Sequence, residues 1–187
     1  MNIILFGPPG AGKGTQAKFL VNKLNGFQIS TGDILRNEIK KNTDIGKKII
    51  NHMKDGVFVS DEIVNKLIEN AIYDPVKKGK LIFDGYPRSL SQAKNLDNLL
   101  KNSNQKIDLV LFLNVDKKTI IERIKKRKIL EKRSDDDSAT LIKRHDTYMQ
   151  TTKPVLEHYN KNSNFYEIDG GLKIEEITCK IEDIINV

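Results

Sequence analysis

Nine residues near the N-terminus, Gly7-Pro8-Pro9-Gly10-Ala11-Gly12-Lys13-Gly14-Thr15, combine the types that a polyphosphate needs. Glycines let the backbone wrap around a small anion so that several N–H groups point inward, and a helix opening just after them adds a favourable field. The Lys13 ammonium can then reach a β- or γ-phosphate as a point charge. Gly14 separates Lys13 from Thr15, a departure from the commoner order in which the hydroxyl follows the lysine directly; Thr15 still stands where it can touch phosphate. A glycine-rich turn without a ligand is the alternative. It leaves unexplained why the loop follows an apolar run and carries its lysine at the start of a helical pattern.

Arginine supplies the second set. Only 6 of the 32 basic residues are arginines: Arg36, Arg88, Arg123, Arg127, Arg133 and Arg144. A chain that takes lysine wherever charge alone is wanted marks each arginine as a candidate for fork-shaped, bidentate recognition of phosphate oxygens. Arg123 and Arg127 are spaced i, i+4 and share a helical face. Arg133 and Arg144, eleven residues apart, share one if a helix spans them. The loop says nucleotide without saying which reaction. A guanine-selecting Asn-Lys-x-Asp is absent, and the arginines ask for a second, phosphate-bearing substrate. His52, His145 and His158 read as residues of solvated helix faces. The single Cys179 excludes an internal disulfide framework and a cysteine-built zinc site, and its isoleucine neighbours on the last helix suggest a core or near-core position.

These groups must be held by something, and the apolar periodicity says what. Asn2–Gly7, Lys80–Asp84 and Ile107–Val115 read as strands buried on both sides, with Asn164–Asp169 and a weaker Gly26–Ser30 beside them. Helical patterns lie over Lys13–Leu24, Leu90–Leu100, Lys117–Lys126, Asp137–Asn160 and Ile174–Ile185. Strands alternating with helices predict an α/β fold, a parallel sheet covered on both faces. From Thr31 to Tyr73 the alternation breaks into three successive helical patterns, Asp33–Lys41, Asp44–Lys54 and Asp61–Tyr73, a helical insertion suited to cover a ligand.

Three segments together, Gly7–Thr15, Thr31-Gly32-Asp33-Ile34-Leu35-Arg36 and Phe83-Asp84-Gly85-Tyr86-Pro87-Arg88, strongly resemble the adenylate kinase family, and the resemblance covers essentially the whole chain. It implies a P-loop fold with a five-stranded parallel sheet in a single kinase domain spanning 1–187. A helical monophosphate-binding segment at 30–59 and a lid at about 127–133 would be inserted in that core. It implies reversible, magnesium-dependent phosphoryl transfer between ATP and AMP, giving two ADP. Gly10, Ala11, Gly12, Lys13, Gly14 and Thr15 would cradle the ATP phosphates. Arg123 and the backbone at Leu172, after the Asp169-Gly170-Gly171 turn, would flank the adenine of ATP, and Arg127 would reach its terminal phosphates. Arg36 and Arg88, within the segment Gly85-Tyr86-Pro87-Arg88, would grip the AMP phosphate. Arg133 and Arg144 would converge with Arg88 on that phosphate and on the moving phosphoryl group. Thr31, Gln92 and the backbone of Val57, Phe58 and Val59 would surround the AMP base, where Gln92 offers both a carbonyl and an NH2. Asp84 would hold the magnesium ion through its water shell.

Within this superfamily the pyrimidine monophosphate kinases are the near alternative. They tend to carry a small residue at the position of Thr31 and an asparagine just after the Pro-Arg pair, where this chain has Ser89. Only Lys128-Ile129-Leu130-Glu131-Lys132 separate Arg127 from Arg133, which resembles the short-lid members, and zinc is not expected. The net charge of +7 could suggest a polyanionic partner, but the lysines are scattered with little aromatic interleaving, so nucleic acid is not expected either. No run approaches the length of a membrane span and no basic leader precedes the first strand, which suggests a cytoplasmic monomer without membrane contact.

Overall fold

The computed structural model describes residues 1–77, 79–131, 138–161 and 164–186, with side chains excepted at 127–131, 138–142 and 153. Five strands, β1 (Asn2–Phe6), β2 (Phe27–Ser30), β3 (Leu81–Asp84), β4 (Leu109–Asn114) and β5 (Phe165–Asp169), form one wholly parallel sheet in the order β2-β3-β1-β4-β5. All five were legible as apolar runs. Side chains alternate across the pleat: Ile3 and Leu5 enter one core, Ile4 and Phe6 the other. Burial on both faces is why the central strands read as continuous apolar runs; each isoleucine or leucine so buried contributes about 1.5–3 kcal/mol.

Eight α-helices and one 3-10 turn (Pro75–Lys77) complete the described residues: α1 (Lys13–Leu24), α2 (Thr31–Lys40), α3 (Asp44–Lys54), α4 (Asp61–Ile72), α5 (Leu90–Asn102), α6 (Lys117–Glu131), α7 (Ser138–Tyr159) and α8 (Ile174–Ile185). On one face Ala17 and Leu20 of α1, Ile120 and Ile124 of α6, and Ile177 and Ile181 of α8 cover the sheet. On the other, Leu67 and Ile68 of α4, Leu96 and Leu100 of α5, and Val155 and Tyr159 of α7 do so.

Neighbouring strands β1 and β3 therefore send their following helices, α1 and α5, to opposite faces. Such a switch point opens a crevice at the C-terminal strand ends, the usual seat of a ligand in this architecture.

The expected insertion is present as α2, α3 and α4. Helix α2 begins at Thr31, two residues before the expected Asp33, and side chains cap α2 and α3: Ser30 accepts from the Asp33 N–H at 3.3 Å and Thr43 from the Gly46 N–H at 3.0 Å. Helix α6 runs past the expected Lys126 to Glu131, because the Lys/Arg-rich stretch carries no stop signal.

One expectation is corrected. Cys179 is exposed, not core. At about 100° per residue it lies roughly 200° around α8 from Ile177, on the far side from the buried Ile177–Ile181 stripe.

Candidate active site

The phosphate loop leaves β1 and turns into α1 through residues that only glycine tolerates well. Gly10 and Gly12 adopt φ of 88° and 96°, and Gly12 caps the helix in the left-handed conformation. The Lys13 ammonium folds back over the loop, donating to the Gly7 and Pro8 carbonyls at 2.8 and 3.1 Å. Asp84 ends β3 beside this loop; its Oδ2 accepts from Gln28 Nε2 at 3.0 Å and lies 3.7 Å from where a side chain on Gly14 would begin.

A cleft of about 610 Å3 runs from the loop across the sheet end, lined by residues of the loop together with Arg36, Asp84, Arg88, Arg123, Arg144 and Tyr148. Arg123, on α6, stretches its guanidinium from the Ala11 carbonyl (3.4 Å) to those of Gly171 and Leu172 (3.4 and 3.3 Å). Two positions far apart in sequence, Arg123 and Leu172, thus meet beside the loop.

A second, smaller cavity lies under the helical insertion. Thr31, Val57, Phe58, Val59 and Gln92 line it, with Leu35, Met53 and Val64 supplying apolar walls. Thr31 donates to the Gly85 carbonyl at 3.1 Å, which ties the start of α2 to the turn after β3. Gly32, Gly85, Arg88 and Arg144 line both cavities. A side chain on Gly32 would begin 3.0 Å from the Arg36 guanidinium, and one on Gly85 2.9 Å from that of Arg88, so both glycines make room for arginines.

Arg88 is the centre of the charge. Its Nε donates to the Gly85 carbonyl at 2.8 Å and its guanidinium carbon stands 4.8 Å from the Phe58 ring centre, a cation–π contact. Burial first, then the Arg144 and Arg36 guanidiniums, lower its pKa to about 10, while Asp84 and Tyr148 work in the other direction. It stays charged at neutral pH. Arg88, with the like charges of Arg144 and Arg36 acting on it, forms a site that asks for an anion. Arg36 is also paired with Asp33 at 2.6 Å.

Tyr148, one helical turn beyond Arg144 on α7, is 6% exposed and lines the same cleft. Burial raises its phenol pKa against the pull of Arg88 and of the Gly7 backbone amide, yet no described group comes within hydrogen-bond geometry of the hydroxyl. Its spacing from Arg144 was a usable signal that sequence reasoning passed over. Of the remaining expected residues, Tyr86 and Pro87 lie in the turn between β3 and α5, with Tyr86 1% exposed and Pro87 lining the cleft. Arg127 belongs to α6, but its side chain, and all of Arg133, lie outside the described residues.

Residues 5–164 match the sequence model of the family described as Adenylate kinase. An adenylate kinase of Pelagibacter ubique (strain HTCC1062) is 47% identical over 213 aligned residues, covering 100% of both chains. One of Caulobacter sp. (strain K31) is 42% identical over 187 residues, 100% of this chain and 99% of its own. One of Mycoplasma capricolum is 39% identical over 215 residues, again complete on both sides.

The chain belongs to the adenylate kinase family. With it comes membership of the nucleoside monophosphate phosphotransferases. Among the described residues no group of three or more His, Cys, Asp or Glu side chains could hold a metal ion, and no helix is long and apolar enough to cross a membrane.

Proposed function

We infer that the chain catalyses magnesium-dependent phosphoryl transfer between ATP and AMP, in both directions, with two ADP as the other pair. One observation carries this: a phosphate-loop cleft and a smaller cavity with apolar walls under the helical insertion meet at Arg88 and Arg144. The donor lies along the loop, with its phosphates on the backbone N–H groups of Gly10–Thr15 and its base between Arg123 and the Leu172 backbone. The acceptor base enters the cavity lined by Thr31, Val57–Val59 and Gln92, which leaves its phosphate against Arg36, Arg88 and Arg144.

An oxygen of the AMP phosphate then attacks the γ-phosphorus, and the bond to the β,γ-bridging oxygen breaks. No general base is required, since that phosphate oxygen already carries charge. The transition state spreads charge over the equatorial oxygens, so the chain's task is positioning and neutralisation. Lys13 leaves the Gly7 and Pro8 carbonyls for the phosphates; Arg127 and Arg133 join from the lid at about 127–133.

The donor set beside the loop fits a hydrated magnesium ion: the Asp84 carboxylate at the end of β3, next to Lys13–Thr15. Bound there with ATP, magnesium would neutralise the β- and γ-oxygens.

The 187 residues form a single kinase domain with 30–59 as its monophosphate-binding segment. The five residues between Arg127 and Arg133 support a short lid, and the single cysteine supports a lid without zinc. The protein acts as a cytoplasmic monomer on small nucleotides and does not bind nucleic acid.

A coupled assay with MgATP and each monophosphate tests the reading. AMP should be the preferred acceptor; faster turnover of UMP or CMP would assign the pyrimidine kinase alternative, and no turnover would leave a nucleotide-binding regulator.

A further inference from the structure

A glutamine amide has nearly the same shape after its oxygen and nitrogen exchange places, yet the exchange reverses every hydrogen bond it can make. Gln92 is 4% exposed and faces the acceptor cavity, so what orients its amide decides which base it can read. Two contacts orient it. Gln92 Oε1 accepts from the Arg88 backbone N–H at 2.7 Å, and Gln92 Nε2 donates to Asp61 Oδ1, also at 2.7 Å. The flipped amide would set N–H against N–H at one end and carbonyl against carboxylate at the other.

Asp61 is the first residue of α4, and its second oxygen, Oδ2, accepts from Ser89 Oγ at 2.6 Å. Ser89 Oγ in turn accepts from the Gln92 backbone N–H at 3.1 Å and caps α5. One carboxylate thus joins the end of the helical insertion to the amide and to the helix start that carries it. As an acceptor only, it admits a single orientation of the Gln92 NH2.

We propose that Asp61 is a positioning residue that sets base choice, locking Gln92 in the orientation that reads a 6-aminopurine and refuses a 6-oxopurine. With both contacts made, Gln92 retains one lone pair on Oε1 and one hydrogen on Nε2. Adenine presents the complement, a donor at N6 beside an acceptor at N1. Hypoxanthine and guanine present the reverse, an acceptor at O6 beside a donor at N1, and need the flipped amide. The proposal rests on the reading above that Gln92 meets the acceptor base.

The test compares kcat/KM for AMP and IMP, with MgATP as donor, in the full chain and in Asp61→Ala, Asp61→Ser and Gln92→Ala. Melting temperatures report folding. Asp61→Ser keeps a short polar residue at the helix start that is too short to bridge to Gln92, and it takes the place of the alanine variant if that one does not fold. Loss of an oriented contact to a charged group should cut the AMP-over-IMP preference by about 10-fold or more, with KM for ATP little changed. A carboxylate that merely stabilises the fold would lower AMP and IMP turnover in proportion and leave the ratio where it was; that result overturns the proposal. If Gln92→Ala collapses the ratio and the Asp61 variants do not, only the role of Asp61 is lost. If Gln92→Ala itself leaves the ratio unchanged, the base-reading assignment fails instead.

Discussion

Lysine and arginine carry the same charge but not the same geometry, and this chain uses the difference. Arg88 and Arg144 line the cleft where donor and acceptor phosphates would meet, while the exposed Lys143, next to Arg144 on α7, is not part of its lining. Arg144→Lys should lower turnover by about 10- to 1000-fold, the scale set by loss of a donor aimed at a developing oxyanion, with melting temperature nearly unchanged. Lys143→Arg is the control and should be close to neutral in the same steady-state assay. The Tyr148 hydroxyl invites a different test. The Gly7 backbone amide and Arg88 offset part of its desolvation cost, so Tyr148→Phe should shift the stability of the ligand-free protein by no more than about 1 kcal/mol, seen as a nearly unchanged denaturation midpoint. The arginines were legible in the sequence because their type is scarce there and their charge has to face a ligand. Asp61 and Tyr148 were not, because what distinguishes them is whom they face and how deeply they are buried, and neither is written in residue type.

Elements were legible in proportion to how much of their signal is local. Strand runs and helical stripes are local, and the five strands fall inside the segments the apolar pattern marks, while α2 begins at Thr31, two residues before the expected Asp33. Strand order and the pairing of helices are not local, and the α2–α3 contact shows what that conceals. A side chain on Gly46 would begin 2.2 Å from the backbone oxygen of Glu38, so α3 packs against the end of α2 through a position that admits no carbon. Nothing in the pattern Asp44–Lys54 distinguishes this glycine from a dispensable one. Gly46→Ala gains helix propensity but must push the two helices apart, at about 1–3 kcal/mol. The melting temperature should fall by about 2–4 °C for each kcal/mol, and KM for the acceptor should rise more than KM for ATP. An unchanged or raised melting temperature would mean that the helices separate without penalty.

At the scale of the molecule, clustered positive charge predicts stabilisation by anions. Burial first, and then Arg144 and Arg36, disfavour the charged form of Arg88, and a phosphate entering there would favour it; by mass action, AMP at 100 times its dissociation constant should add about 2.7 kcal/mol to the unfolding free energy. A thermal shift that depends on AMP concentration checks this.

Alkaline behaviour follows from burial. The phenol of Tyr86 is pushed up to about 12, chiefly by burial, and those of Tyr148 and Tyr159 further still. A raised acid pKa contributes stability that is whole below pH 10, the ordinary phenol value. That contribution is lost as pH climbs through 12 and beyond, because the unfolded chain sheds its protons first. Arg88, lowered from 12.5 to about 10, has the opposite sign over that interval and offsets part of the loss. Stability to urea should therefore decline above pH 10, and the phenolate absorbance of the three buried tyrosines should appear together with unfolding.

The adjacency of β1 and β3 bears on how such a protein can change over time. The phosphate loop and the turn at 85–88 hang from strands that are paired directly, Leu5 opposite Asp84, so one interstrand spacing, and not the reach of any side chain, would separate the two halves of the proposed reaction. Drift elsewhere can rewrite the exterior, exchanging arginine for lysine or reshaping a lid, without altering that interval. Relatives that share as little as 36% of their residues with this chain along its whole length can then keep a common working distance. Tolerance to mutation should accordingly be lowest at the facing ends of these two strands and should rise steeply within a few residues on either side.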